Sequence, residues 1–262
     1  MNSNTDRPSD QEILDYEREI KNQTIGNTPM VGNLEGFASL EVEYQQGVPI
    51  YLEKIETLKE LCSQTRSIKK DGNCFYRAFG FRLCEIINEN VGSAWHSYII
   101  DKCEKTKDIL TQQGYDMSIL EDFYEPFNDA IHNKSGNILN VFTTEYLSDT
   151  IVCYLRIVTA AILKRDRLLY ESFVLSDFPT LDAFISACVE PMNVESDQIH
   201  IVAMANAFGI TVKVPLHLFV DTTPSKINFH EISSMEDQPV LDVEAKIALL
   251  YRPGHYDILY LK

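Results

Sequence analysis

The chain has 262 residues, of which 45% are hydrophobic and 24% are charged, a composition that excludes a disordered protein and suits one large domain. Its 39 Asp and Glu residues outnumber its 23 Lys and Arg residues, and the net charge of −16 argues against a nucleic-acid partner. We find neither a signal peptide nor an apolar stretch of bilayer length, so we expect a monomer in the cytoplasm and also in the nucleus, with no membrane partner.

A short amphipathic helix is predicted near the N-terminus, over about 10–22. Ser9 and Glu12 form a capping box at its start, in which each side chain satisfies a free backbone amide. Its apolar stripe consists of Ile13, Tyr16 and Ile20. Because the stripe is narrow and the helix short, we expect it to need a surface to lie against.

A segment rich in Gly, Asn and Pro follows at 26–36 and predicts a linker. We therefore divide the chain into a flexible extension, residues 1–35, and one folded domain, residues 36–262.

Two helices flank a polar segment at the start of this domain. The first covers 49–62, with Tyr51, Ile55, Leu58 and Cys62 on one face. The polar stretch 63–73 predicts a loop. The second helix runs from Phe75 to about Ile87, because its apolar residues keep helical spacing, and Cys74 stands at its N-terminus.

The middle of the chain is helical in pattern. Ser118 and Glu121 predict a second capping box, and Pro126 is expected to bend or end that helix. A long helix carries a stripe of Leu147, Ile151, Leu155, Val158 and Ile162. Thr180 caps another helix, and Gly209 closes an apolar one.

Strand patterns come late, at 210–214, 247–252 and 256–261. Several helices followed by a few strands predict an α/β protein of the α+β kind, in which a helical layer packs on a small mixed sheet.

Cys74 is a candidate nucleophile. A thiolate is stabilised at a helix N-terminus, which lowers the pKa of the thiol. Gly72 permits a tight turn, and Asp71 or Asn73 can bind free amides. The backbone amides of Gly72, Asn73 and Cys74 could then converge as an oxyanion hole. Taken alone, this stretch favours a small cysteine buried on an amphipathic helix over a nucleophile.

His255 and Asp257 form a candidate base and its orienting carboxylate. Gly254 makes a turn with Pro253, and a strand begins at His255. Residues i and i+2 point to the same face of a strand, so the carboxylate can fix the tautomer of the ring. By itself the pattern also fits an exposed histidine beside an acidic residue.

The other histidines and cysteines are weaker candidates. His200 lies in an apolar helix and is expected in the core. The other five cysteines are placed within helices, where burial raises the thiol pKa and leaves the sulfur inert. They form no CxxC pair and no metal-ligand spacing, so we expect no disulfide, metal or cofactor.

Two blocks together resemble one protein family. The sequences DGNCFYRAFGF (71–81) and LLYRPGHYDILY (249–260) are similar to the signature blocks of the otubains, within the ovarian-tumour class of cysteine deubiquitinases. The blocks at 147–160 and 189–210, and the stretch from 12 to 32, extend the resemblance over nearly the whole chain. Residues 215–245 depart from the family pattern where ubiquitin contacts would be expected.

The resemblance implies a papain-like fold of the ovarian-tumour type, with a small mixed sheet between helical layers. It implies that Cys74 is the nucleophile, His255 the general base and Asp257 its orienter, and that Asp71 supports the oxyanion loop. Ubiquitin joined to a lysine by an isopeptide bond would be the substrate, in the linkage that marks proteins for the proteasome. The small Gly254 would help to form a groove for the Gly-Gly tail of ubiquitin.

The resemblance also implies non-catalytic partners. Some otubains bind ubiquitin-charged E2 conjugating enzymes and block them, with an N-terminal helix, here the helix over about 10–22, contacting ubiquitin. The acidic charge suits a basic partner such as ubiquitin, although it also serves solubility. Two alternatives stay open: a mainly non-catalytic inhibitor that binds ubiquitin and E2 enzymes, and a protease for another ubiquitin-like modifier.

Overall fold

Six strands form one mixed sheet in the computed structural model, which describes residues 28–215, 227–235, 239 and 241–262. The strands are β1 (Val31–Glu35), β2 (Cys62–Ile68), β3 (Thr211–Pro215), β4 (Phe229–Ile232), β5 (Lys246–Arg252) and β6 (His255–Leu261). Their order is β1-β2-β6-β5-β3-β4, and every neighbouring pair is antiparallel except β3 and β5. The predicted N-terminal helix, with Ile13, Tyr16 and Ile20, lies outside the described residues, as does part of 215–245.

Helices cover both faces of this sheet. They are α1 (Ala38–Tyr44), α2 (Pro49–Leu61), α3 (Cys74–Glu89), α4 (Ala94–Gln112), α5 (Met117–Ile131), α6 (Ile138–Thr143), α7 (Glu145–Arg165), α8 (Arg167–Val174), α9 (Leu181–Phe184) and α10 (Gln198–Phe208). A single π-helical turn, Ile185–Val189, follows α9.

Alternate residues of the central strands belong to two hydrophobic clusters. Ile247 and Leu249 of β5 pack into the large cluster built around α3 and α7, whereas Ala248 and Leu250 pack with α1 and α2 on the other face. This alternation follows from the two-residue period of a strand. The predicted α+β class, with a small mixed sheet between helical layers, is confirmed.

The prediction of a linker up to residue 35 is wrong at its end. Residues Val31–Glu35 form β1, which pairs with β2, and Val31 is only 2% exposed. Arg66 of β2 donates a hydrogen bond to the carbonyl of Gly32 at 2.8 Å. An edge strand is stabilised mainly by its backbone pairing, so a glycine-containing segment without an apolar run forms one here.

The predicted loop at 63–73 is also wrong over most of its length. Residues Cys62–Ile68 form β2, between β1 and β6 in the sheet, so Cys62 begins a strand rather than lying on a helix. Two of its polar side chains, those of Thr65 and Arg66, are buried with partners. The Thr65 hydroxyl donates to the carbonyl of Ile258 at 2.9 Å, and the Arg66 guanidinium lies 4.9 Å from the ring centre of Phe81.

The start of α5 is capped by a different residue from the one predicted. The Asp116 side chain accepts the backbone amide of Ser118 at 2.9 Å, so the helix begins one residue before the predicted capping box. Pro126 lies inside the helix, which continues to Ile131. Two later predicted caps are confirmed, with the Thr180 hydroxyl accepting the Ala183 amide and Gly209 in the left-handed conformation, whereas the Ser9–Glu12 capping box lies outside the described residues.

Helix α7 is long and apolar enough by composition to cross a membrane, contrary to the expectation that no such stretch exists. Its most apolar window is 72% buried inside the fold. The predicted apolar stripe therefore belongs to a core helix, and this helix contacts α3, α5 and α10.

Candidate active site

The sheet and α3 bring the predicted nucleophile and base to one place. Cys74 is the first residue of α3 and His255 the first residue of β6, and the helix packs on that strand. The rings of the next residues, Phe75 and Tyr256, lie 5.5 Å apart in an edge-to-face contact. The backbone of Tyr256 hydrogen-bonds the sulfur of Cys74. Cys74 therefore lies against the strand that begins at His255, although 181 residues separate the two in sequence.

Cys74 is buried, with only 3% of the residue exposed. This burial raises the pKa of Cys74 to about 11, against the lowering effect of backbone hydrogen bonds from Tyr256 and Phe75. The negative charges of Asp71 and Asp257 raise the pKa further. The expectation that the helix start lowers the thiol pKa is therefore wrong for the substrate-free site, because desolvation outweighs the favourable dipoles. At neutral pH Cys74 is a protonated thiol.

His255 and Asp257 lie on the same face of β6, as predicted. The Nε2–H of His255 donates to Oδ1 of Asp257 at 2.8 Å, and both residues are at least 96% buried. Since a carboxylate only accepts, this bond places the proton of a neutral imidazole on Nε2 and leaves a lone pair on Nδ1. Among the residues that the structure describes, the buried Nδ1 of His255 has no hydrogen-bond partner. This nitrogen is therefore free to accept a proton.

The carboxylate of Asp257 is held by three donors. Its Oδ1 also accepts the backbone amide of Ile68 at 2.8 Å, and its Oδ2 binds the guanidinium of Arg252. Burial alone would raise the pKa of Asp257. The hydrogen bond and charge of His255, the charge of Arg252 and the Ile68 amide together lower it below its ordinary value. Asp257 is thus a fixed anion that orients the ring.

The loop before Cys74 is shaped by Asp71. Its Oδ1 accepts the backbone amide of Asn73 at 2.9 Å and the guanidinium of Arg77 at 3.0 Å. The Asn73 amide therefore points at Asp71, so the prediction that the amides of Gly72, Asn73 and Cys74 converge is wrong for Asn73. The amides of Gly72 and Cys74 are left as the loop's candidate oxyanion donors. The Cys74 amide has no acceptor within its own helix, because it stands in the first turn.

Two glycines of the site adopt conformations that other residues disfavour. Gly72 has φ of +85°, and a Cβ there would lie 2.3 Å from the carbonyl oxygen of Asn193. Gly254 has φ of +71°, and a Cβ there would lie 2.9 Å from the carboxylate of Glu195. A side chain at Gly72 would require the Asn193 backbone to move, whereas one at Gly254 would be disfavoured by the backbone conformation and would displace the Glu195 side chain. That segment thus lines the site next to both the nucleophile loop and the turn before His255.

Sequence reasoning missed the buried arginines around the site. Arg77 is fully buried and pairs with Asp71 and Asp149, and Arg156 is fully buried against the nucleophile loop. A signal for both was present, because each arginine interrupts an apolar helix, and a buried charge needs specific partners. The identity of those partners, far away in sequence, could not be inferred.

The predicted core histidine lies apart from this site. His200 is completely buried, and its Nδ1 accepts the backbone amide of Asp197 at 2.9 Å. Burial lowers the pKa of His200 to about 4. Burial also raises the pKa of the other five cysteine thiols. Within the described ranges, no three His, Cys, Asp or Glu side chains come together as a metal site.

Comparison with known families and relatives places this geometry in context. The family model of the Peptidase C65 otubains matches residues 23–261. The chain is 36% identical over 262 residues to the OVARIAN TUMOR DOMAIN-containing deubiquitinating enzyme 1 of Arabidopsis thaliana, covering 93% of this chain and 84% of that protein. It is 32% identical over 256 residues to the ubiquitin thioesterase OTUB1 of Homo sapiens, covering 96% and 90% of the two chains.

Solved structures show the same similarity. An OTUB1 structure in complex with ubiquitin aldehyde and UBC13~Ub superposes with a TM-score of 0.80 at 27% identity, over 97% of this chain and 98% of that one. A second OTUB1 complex, with ubiquitin aldehyde and UBCH5B~Ub, gives a TM-score of 0.79 at 26% identity and the same coverage.

Proposed function

The chain belongs to the otubain family of cysteine peptidases, Peptidase C65, and from this premise we propose that it hydrolyses isopeptide bonds between ubiquitin and lysine. The observation that carries the proposal is the meeting of α3 and β6, where the Cys74 sulfur lies against the backbone of Tyr256, the residue that follows a buried histidine whose Nδ1 has no hydrogen-bond partner among the described residues. The relatives named as ubiquitin thioesterases and deubiquitinating enzymes supply the substrate class.

The reaction begins with proton transfer from Cys74 to Nδ1 of His255. The thiolate attacks the isopeptide carbonyl, and the amides of Gly72 and Cys74 stabilise the resulting oxyanion. The imidazolium of His255 gives its proton to the lysine amine as the C–N bond breaks, which leaves a thioester on Cys74. Water, deprotonated by His255, then cleaves the thioester and releases the ubiquitin carboxylate and the free thiol.

The buried thiol makes activation depend on the substrate. With the pKa of Cys74 at about 11, a thiolate is scarce at neutral pH in the free enzyme. An imidazolium beside the sulfur would compensate the thiolate charge, which requires the sulfur and Nδ1 of His255 to meet. Binding of ubiquitin supplies the free energy for that alignment.

An apolar groove of about 400 Å³ fits the substrate class. Residues of α8, α9 and α10 form its walls, and Phe173 stands 72% exposed at its edge. Asp177 and Asp197 provide an acidic rim. The groove adjoins the segment of Glu195, which contacts the turn at Gly254. We assign this groove to the ubiquitin whose C-terminus forms the isopeptide bond and becomes a free carboxylate on hydrolysis. The apolar floor and negative rim of the groove would complement an apolar patch surrounded by cations on that ubiquitin.

We propose further that the linkage which targets proteins to the proteasome is preferred. The proposal rests on the resemblance of the catalytic blocks to the otubain family. The divergent region 215–245 begins at the end of β3 and includes β4, so its residues could give this chain a linkage preference different from that of its relatives.

Hydrolysis of diubiquitin of every linkage type tests the proposed activity. Wild type should cleave the proteasome-targeting linkage fastest, and Cys74→Ala should lose all measurable cleavage while still binding ubiquitin. Cleavage by Cys74→Ala at the wild-type rate would contradict the role of the thiol. Cleavage of another ubiquitin-like modifier in place of ubiquitin would contradict the assigned substrate.

Inhibition of ubiquitin-charged E2 enzymes is a second candidate function, favoured by the OTUB1 complexes with UBC13~Ub and UBCH5B~Ub. Removal of residues 1–30 takes away the predicted helix over about 10–22. Inhibition of chain synthesis by an E2 should then be lost, while cleavage of a fluorogenic ubiquitin substrate is retained. Unchanged inhibition by the truncated chain would contradict the role assigned to this helix.

A further inference from the structure

Arg156 of α7 joins the nucleophile loop to the segment that follows the π-helical turn. Its Nη2 donates to the carbonyl of Gly72 at 2.9 Å, to Oδ1 of Asn73 at 2.9 Å and to the carbonyl of Val194 at 2.7 Å. Its Nη1 donates to the carbonyl of Val189 at 3.1 Å. One guanidinium therefore binds acceptors in two segments that are about 120 residues apart in the chain.

Asn73 and Asn193 bind each other across the same junction. Nδ2 of Asn73 donates to Oδ1 of Asn193 at 2.8 Å, and the backbone amide of Asn193 donates to Oδ1 of Asn73 at 2.8 Å. Asn193 adopts φ of +64°, in the left-handed region that asparagine tolerates better than most residues. Its carbonyl packs directly on Gly72.

Two successive peptide planes of the loop are fixed in direction, the first by these contacts together with Asp71 and the second by α3. A peptide unit is planar, so its carbonyl and amide point in opposite directions. The unit joining Gly72 to Asn73 is held at both ends, by Arg156 on the carbonyl and Asp71 on the amide. In the next unit, the Asn73 carbonyl accepts the Arg77 amide at 3.0 Å as the first turn of α3 forms. The Cys74 amide consequently points away from the helix.

Burial of the charged Arg156 side chain beside the loop costs free energy. Its side chain is completely buried, and among the described residues no carboxylate forms an ion pair with it. Carbonyl and amide dipoles and the ring of Tyr76, 4.7 Å from the guanidinium carbon, are its compensation. A buried cation without a counter-ion is costly, so its presence beside the nucleophile suggests a functional use.

We propose that Arg156 and Asn193 are positioning residues, which fix the peptide unit between Gly72 and Asn73 and so keep the adjoining Cys74 amide in the orientation that binds the oxyanion. The proposal rests on the proposed function, since the oxyanion arises from attack of Cys74 on a carbonyl. Neither side chain touches the reacting atoms. They act through Asn73 and the carbonyl of Gly72.

Asn193→Gly is the sharpest test. Glycine keeps the left-handed backbone, and Asn193 is exposed, so the variant loses only the carboxamide that binds Asn73. Asn133→Gly is a matched control, because Asn133 is another left-handed asparagine, with φ of +47°, outside the site. Arg156→Lys complements both variants, since lysine keeps the charge but lacks the planar fork that reaches several acceptors.

Three measurements separate positioning from general damage. For Asn193→Gly we expect kcat on a fluorogenic ubiquitin substrate to fall roughly tenfold, less than for deletion of an oxyanion donor, with KM within twofold. Inhibition by ubiquitin aldehyde, which forms a tetrahedral adduct, should weaken by a similar factor, while binding of free ubiquitin stays unchanged. Amide hydrogen exchange in a peptide spanning 71–74 should accelerate, and Arg156→Lys should show the same pattern with a larger loss of kcat.

The outcomes are decisive in both directions. A kcat of Asn193→Gly within twofold of wild type, or an equal loss in Asn133→Gly, would overturn the positioning role. A wild-type enzyme that is inactive on every ubiquitin substrate would overturn the proposed function instead. In that case hydrogen exchange alone tests the positioning role, and unchanged exchange at 71–74 in Asn193→Gly would refute that role.

Discussion

The base side and the nucleophile side of the site are built in opposite ways. On the base side, His255 and Asp257 lie two residues apart on one strand and share a 2.8 Å hydrogen bond. On the nucleophile side, the loop before Cys74 is held by Arg156 and Asn193, which come from distant segments. Local sequence thus forms the base, whereas tertiary structure forms the surroundings of the nucleophile.

The two sides also differ in their readiness for reaction. Asp257 is already ionised and saturated by His255, Ile68 and Arg252, so the ring is oriented before any substrate binds. Cys74 is a neutral thiol with a pKa raised to about 11 by its burial. A neutral thiol is less exposed to oxidation and stray alkylation than a thiolate. We infer that, before substrate binds, the proposed base is already oriented, whereas the proposed nucleophile is still a protonated thiol.

Removal of the proposed base, His255, should produce the largest loss of activity. His255→Ala removes the only proton acceptor assigned to Cys74, and we expect kcat/KM on a ubiquitin substrate to fall roughly ten-thousandfold. Steady-state kinetics measure the loss, and His132→Ala, at an exposed position, serves as the control. A loss of less than tenfold in His255→Ala would show that another group deprotonates the thiol.

Replacement of the orienting carboxylate should cost less. Asp257→Asn keeps an oxygen for the His255 ring and the Ile68 amide, but it loses the charge that stabilises the imidazolium and places an amide group against Arg252. We expect kcat to fall roughly a hundredfold, the scale of general-base catalysis. Kinetics beside Asp101→Asn, an exposed control, measure this loss. Equal losses in Asp257→Asn and His255→Ala would contradict a merely orienting role.

The same contrast explains what the sequence could predict. The pairing of His255 with Asp257 follows from the two-residue period of a strand, and the helix behind Cys74 follows from its apolar spacing. The partnership of Arg156 with Asn73 joins residues 83 positions apart, and no local period encodes it. The raised pKa of Cys74 was missed for a related reason, because desolvation depends on the whole fold around the sulfur.

The strands β1 and β2 were missed for a different physical reason. Their sequences are polar, so hydrophobic periodicity gives no signal, and they are stabilised by backbone pairing with neighbours. Arg66 and Thr65 become buried only because β6 and β1 supply acceptors for them. Strands with polar, tertiary partners therefore lie beyond a reading of local pattern.

Arg252, the cation that binds Asp257, offers a test with a smaller expected effect. Arg252 binds Asp257 on one side and, at 2.6 Å, Glu43 on the other. Arg252→Gln should raise the pKa of Asp257 and reduce kcat by roughly tenfold, equivalent to about 1.4 kcal/mol on the barrier. Glu43→Gln should change kcat by less than about threefold, since an ion pair with a half-exposed group contributes little. A larger loss in Glu43→Gln than in Arg252→Gln would reverse this order.

Substitution of His200, the second buried histidine, should have the smallest effect on activity but a clear effect on stability. His200 anchors the start of α10 through the Asp197 amide, and thereby the end of the segment that carries Asn193. Burial lowers the pKa of His200 to about 4, so the folded state binds its proton less readily than the unfolded chain, whose histidines titrate near pH 6.5. The stabilisation from neutral His200 is complete above pH 6.5 and is lost as the pH falls towards 4.

Between pH 7 and pH 5 this histidine should cost the wild type about 2 kcal/mol of unfolding free energy. His200→Gln removes the titrating ring, and it should show a correspondingly smaller change between the two pH values, with kcat at pH 7 near that of wild type. Denaturant unfolding at both pH values measures the difference. An identical pH dependence in the two proteins would mean that the ring is solvated in solution, and that the anchor of the Asn193 segment is looser than its buried position indicates.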